Sequence, residues 1–267
     1  MSLYCYAVVP ASTALPQGLT GLGGQPLEVL SAGPLAVVYS SIAGRIRPQR
    51  SNLAIHQKVL TDLCRTADVL PMSFGTLADD AAGITDLIRS NAEPLAEALA
   101  RVGGKVEMTL RLSLAVENAF AHLVSMDPDL REARDAMLDV PSHDNKVSVG
   151  RLFENKLGQL RDQAAETVAS HLDPVIAETK SNPPRSEKQI LALALLISRD
   201  AQEAFDAAVA RAAEAFDDNY TFEISGPWPP QSFVDVRLDA SEQDDADDTA
   251  EPALSEVKAA AQPSEAA

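Results

Sequence analysis

Residues 220–236 read Y-T-F-E-I-S-G-P-W-P-P-Q-S-F-V-D-V, and this stretch fixes the kind of chain being read. Tyr220, Phe222 and Ile224 alternate with Thr221, Glu223 and Ser225, the period-two pattern of a half-buried strand. Gly226-Pro227-Trp228-Pro229-Pro230 then stops it. Three prolines fix φ and delete three N–H donors, which excludes both helix and central strand. The only tryptophan of the chain is thereby carried on a stiff turn, either to plug a gap between helices or to meet a partner. Phe233, Val234 and Val236 resume a short apolar segment.

Working outward, 267 residues suffice for one large domain or two of ordinary size. Aromatic residues are only 4 % of the chain, so Leu, Val, Ile and Ala must fill the core. A formal charge of −17 with no basic stripe argues against nucleic-acid phosphate as a partner. The opening Met1–Tyr6 lacks the basic start of a signal peptide, and the longest apolar run, Ile190 to Ile197, is too short to cross a bilayer. Two cysteines, Cys5 and Cys64, make neither a disulfide framework nor a metal cage. These features predict a soluble cytoplasmic protein.

In the N-terminal half, Leu3 to Val9 reads as a buried strand, and Leu27 to Leu30 with Leu35 to Tyr39 as a hairpin. The intervening G-L-T-G-L-G-G run lacks the G-x-x-x-x-G-K spacing of a phosphate loop. A helix capped by Ser51 follows, with Leu53, His56, Leu60, Leu63 and Ala67 on one face. His56 therefore points inward as a hydrogen-bonded core residue, and no nucleophile-and-acid arrangement surrounds it. Asp68 to Thr76 suggests a short strand ending in a turn at Gly75, and Pro94 breaks or restarts the helical stretch Ala81 to Leu99, giving two helices or one kinked one.

In the C-terminal half, Val106 to Leu114 alternates strictly as a strand. Asp127-Pro128 has the form of an N-cap with proline at the first helical position, and a longer helix runs from Val149 to Leu172. Ile190 to Ile197 reads as a central strand buried on both faces, and Asp200 with Glu203 has capping-box spacing before another helix. The order fits a ferredoxin-like sandwich with one further strand expected in Arg185 to Gln189. From Leu238 on, nine acids and one lysine predict a disordered acidic tail. The expected fold is thus α+β. It comprises an N-terminal domain (residues 1–103) with a small mixed sheet and helices, a ferredoxin-like domain (104–237), and the tail (238–267).

Three stretches together carry a family resemblance. They are Y-C-Y-A-V-V at the start, H-Q-K-V-L (56–60) with V-L-P-M-S-F-G-T (69–76), and G-P-W-P-P (226–230) with S-F-V (232–234). In that order and spacing they resemble the gas vesicle protein F/L (GvpF/GvpL) family. Ser73 and Gln231 depart from its usual Arg and Tyr, so a docking surface that uses those positions would differ here.

The resemblance implies a non-enzymatic gas vesicle component that meets the main shell protein GvpA, and other accessory proteins, during assembly. Such a helper covers aggregation-prone apolar surface and offers a nucleus, for which Phe74, Trp228, Pro229 and Phe233 are the candidate contacts. A ferredoxin-like ligand-binding or enzymatic domain is the alternative. His56, His122, His143 and His171 lack metal-ligand spacing, and Asp244 to Asp248 lacks the glycine and alternation of a calcium loop. No catalytic residue, cofactor, metal or lipid-membrane contact is expected.

Overall fold

The computed structural model describes residues 2–44 and 46–236, and the expected acidic tail lies outside them. The chain divides into two compact units. One gathers residues up to Glu107 together with the closing segment that begins at Pro227; the other is Met108–Gly226. The closing segment, expected to end the second domain, groups instead with the first unit.

In the first unit the uninterrupted apolar run at the start forms β1 (Ser2–Pro10), buried on both faces. Strands β2 (Glu28–Ala32) and β3 (Leu35–Ile42) form the hairpin. Gly33 turns it with φ 70°, a left-handed conformation that suits a two-residue connection. Strand β3 runs antiparallel to β1 from Ser2↔Ile42 to Pro10↔Leu35, with a bulge between Cys5 and Ala7. Two-residue strands β4 (Leu70–Pro71) and β5 (Leu77–Ala78) also pair with β1. All of these pairings are antiparallel, so the expected mixed sheet is corrected to an antiparallel one. The β2–β3 connection is a tight turn, whereas β4 pairs with β1 after the chain has passed through α1.

Helix α1 (Arg50–Cys64) lies against β1, burying His56, Val59, Leu60, Leu63 and Cys64. Gln49, not Ser51, occupies its N-cap, and Leu53, expected inward, is exposed. Helices α2 (Ala81–Ser90) and α3 (Ala92–Val102) break at Asn91. Pro94 does not itself make the break: it sits in the first turn of α3, where a missing N–H costs nothing.

The second unit takes in most of β6 (Lys105–Leu114), whose first three residues belong to the first. Helices α4 (Ala119–Met126), α5 (Pro128–Asp139) and α6 (His143–Leu172) follow. Asp127 caps α5 as expected, accepting from the Leu130 N–H at 2.9 Å, and it also pairs with Lys156 of α6 at 2.6 Å. Strands β7 (Ile176–Ser181) and β8 (Gln189–Ser198), helix α7 (Gln202–Ala213) and strand β9 (Tyr220–Trp228), whose last two residues group with the first unit, complete the unit.

The sheet order is β7-β8-β6-β9, so β8 is the doubly buried central strand that its apolar run predicts. Strand β7 pairs antiparallel with β8, and the end of β6 meets the starts of β8 and β9 through Leu114 N–H to Lys188 O and Ala115 N–H to Asn219 O. The strand expected in Arg185 to Gln189 is instead β7, earlier in the chain. At the start of α7, Asp200 falls in a 3-10 turn and Ala201 is the N-cap, so the expected capping box does not form. Strand β9 runs on through Gly226-Pro227-Trp228 instead of stopping before them, which an edge strand permits because its outer N–H groups need no partner.

Candidate partner-binding site

Two structures within the first unit bear on the candidate contacts, and both are built on α1. The first is a buried aromatic cluster. The Tyr6 ring stacks on His56 with an interplanar angle of 24° and centroids 5.7 Å apart, while Tyr4 and Phe74 meet the imidazole edge-on. His56 Nε2 lies 3.1 Å from the Met72 carbonyl, which can only accept, so the proton is on Nε2. Nδ1 then accepts from the Tyr4 hydroxyl at 2.9 Å, and that hydroxyl oxygen accepts from the Gly75 N–H at 3.1 Å. Burial holds the imidazole well below its ordinary value, at about 4, and pushes the Tyr4 phenol up.

With both ring nitrogens engaged and the ring 5 % exposed, His56 has nothing left for proton transfer. Cys5 is also buried, and desolvation pushes its thiol up to about 12, the opposite of an activated nucleophile. The glycine-rich run serves this cluster. Leu22 N–H donates to the Tyr6 hydroxyl at 2.7 Å, and Gly21 lies directly against the same oxygen. Among the described residues no group of three His, Cys, Asp or Glu is placed to hold a metal ion.

The second structure is the closing segment. Gln231 Nε2 donates to Gln57 Oε1 at 3.0 Å, one residue from His56 on α1. The Ser232 N–H and hydroxyl donate to the two carboxylate oxygens of Glu107 at 2.8 and 2.6 Å. Arg101 of α3 donates to the Phe233 carbonyl. Glu107 is 3 % exposed, a carboxylate that could not be buried without such donors. Phe233, Val234 and Val236 are buried alongside these bonds in the chain.

Of the four candidate contacts, Pro229 and Phe233 are buried within the unit, whereas Trp228 and Phe74 are half-buried and present part of their surface. Phe74 rests on His56 and the closing segment on Gln57, so adjacent residues of one helix hold both. Gln231, one of the departures from the family pattern, is thus a structural tie. Sequence reading misses the anchors Gln57, Arg101 and Glu107. The available clue was a glutamate inside the apolar alternation of β6.

The described residues thus form two antiparallel sheets flanked by helices, with His56 hydrogen-bonded through both ring nitrogens. A family model described as "Gas vesicle synthesis protein GvpL/GvpF" matches residues 2–235, and the chain belongs to that family. It is 29 % identical over 248 residues to gas vesicle protein F of Streptomyces sp. (strain CB03234), covering 88 % of this chain and all of that one. It is 26 % identical over 255 residues to gas vesicle protein L of the same strain, covering 87 % and 92 %. The crystal structure of GvpF from Anabaena sp. PCC7120 shares the fold with a TM-score of 0.80 at 22 % identity, covering 88 % of this chain and 98 % of that one. GvpF from Microcystis aeruginosa gives 0.75 at 21 %, covering 87 % and 98 %. No helix among the described residues is long and apolar enough to cross a membrane.

Proposed function

We propose that this gas vesicle accessory protein is non-enzymatic, binds the shell protein GvpA in the cytoplasm and at the growing vesicle, keeps it from aggregating, and helps to nucleate assembly. The observation that carries the reading is the anchoring of two half-exposed aromatics, Phe74 and Trp228, through neighbouring residues of α1. Rigidly held aromatic side chains contribute contact area at low entropic cost, which suits capture of an apolar surface. The second unit is read as a ferredoxin-like domain, supported by its succession of strand, helices, two strands, helix and strand and by the order β7-β8-β6-β9.

A pull-down with detergent-solubilised GvpA diluted into buffer tests the proposal. Wild type retains GvpA and keeps it from sedimenting; Trp228→Ala and Phe74→Ala each lower retention about tenfold, a loss of about 1.4 kcal/mol. Unchanged retention by variants with wild-type melting curves removes these residues from the interface. Failure of wild type to retain GvpA removes the function.

A further inference from the structure

Charge is distributed unevenly along this chain. Up to Thr66 it holds five bases (Arg45, Arg47, Arg50, Lys58, Arg65) against two acids (Glu28, Asp62), although the whole carries −17. Residues 238–267, by contrast, hold nine acids and one lysine. Sequence reading finds no basic stripe, but α1 assembles a short one. At about 100° per residue, Arg50, Lys58 and Arg65 fall within about 80° of one another. All three are exposed, on the side away from His56, Leu60 and Leu63.

Asp62 bonds both Lys58 and Arg65, and one carboxylate shared by two cations leaves a positive charge in excess. The first turn of α1, where Arg50 stands, contains no acid. Beside the stripe a cleft of about 510 Å³ opens between α1 and the glycine-rich loop from Pro16 to Gly24, with Lys58, Asp62 and Arg65 in its wall.

The described part of the closing segment is tied to this helix. Gln231 is tied to Gln57, the neighbour of Lys58, and the chain is held as far as Val236. Asp244 to Asp248 begins eight residues beyond Val236. Eight extended residues reach about 26 Å, more than the roughly 22 Å of the 15-residue α1. A tether of that length sets an effective concentration on the order of millimolar, enough to populate a contact made of individually weak surface pairs.

We propose that the acidic segment 239–251 docks in cis on the basic face of α1, its carboxylates meeting Arg50 and, at the mouth of the cleft, Lys58 and Arg65. This contact covers the outer face of the helix that also holds Phe74 and the Trp228 turn, and any acidic partner must displace the segment to reach it. It does not depend on GvpA binding.

The test uses the full chain, ¹⁵N-labelled and spin-labelled at Ala246→Cys, since Cys5 and Cys64 are buried. In low salt, amide signals of residues 50–66 and 16–24 lose at least about half their intensity, and they recover in 1 M NaCl, where the Debye length is about 3 Å. They recover likewise in R50E/K58E/R65E. They also recover in D244N/D245N/D247N/D248N, which leaves the described residues untouched and so decides the matter if the first variant fails to fold. Undiminished α1 signals in low salt overturn the proposal, as does loss that survives the tail substitutions. Equal loss on mixing ¹⁵N-labelled chains with separate spin-labelled chains would assign the contact to a second copy and overturn it in cis.

Discussion

A methyl group at Gly21 would lie 2.3 Å from the Tyr6 hydroxyl oxygen, 2.8 Å from Ser40 Oγ and 3.0 Å from a Leu27 methyl carbon. This close approach explains a glycine that phosphate binding does not. Gly21→Ala is expected to cost about 1–3 kcal/mol through overpacking, read from the urea midpoint. Adding Tyr6→Phe, which removes the crowded oxygen, should cost less than the sum of the two single changes. His56 yields a prediction of pH dependence. Its folded value of about 4 lies below the ordinary 6.5, so the unfolded chain binds the extra proton first. The stabilisation is complete above pH 6.5 and is lost as pH falls towards 4, to a total of about 3 kcal/mol. Urea titrations of wild type and His56→Gln between pH 7 and 4 check this: only wild type should carry that extra slope.

Among the elements, the closing segment takes two of its anchoring hydrogen bonds from one buried carboxylate. Glu107→Ala leaves the Ser232 N–H and hydroxyl without their acceptor and should cost about 1–3 kcal/mol. Because Trp228 is the only tryptophan, its emission should shift to the red as the turn loosens, while far-ultraviolet dichroism holds. An unshifted spectrum would mean that Phe233 and Val234 hold the segment without Glu107. Strands β1 and β8 and the strict alternation of β6 were legible in the sequence because burial is written directly into their residues. Strand β7 was not. Its sequence I-A-E-T-K-S has one large apolar residue, since an edge strand needs little burial to pair. Helix α4, only eight residues long, gave no distinct signal between the strand before it and the Asp127 cap after it. Ser51 and Asp200 have the right chemistry for caps, but the helices start elsewhere. The proline-braced turn left Trp228 open between a gap filler and a contact, and its half exposure was not legible. Its anchors were hidden because Gln57 and Glu107 lie 174 and 125 residues from their partners.

For the whole molecule, the first unit combines both sides of the sequence, with Met108–Gly226 lying between them in the chain. A chain ending at Gly226 should therefore lose hydrogen-exchange protection in β1, α1 and α3 while α6 and β8 keep theirs. Equal loss in both units would show that they melt as one. During synthesis the same arrangement reverses the usual schedule of folding. The portion that leaves the ribosome first is completed last, because Gln57, Arg101 and Glu107 must wait for Gln231, Ser232 and Phe233 to be translated. A nascent chain cannot anchor the turn that carries Trp228 until Phe233 has been made.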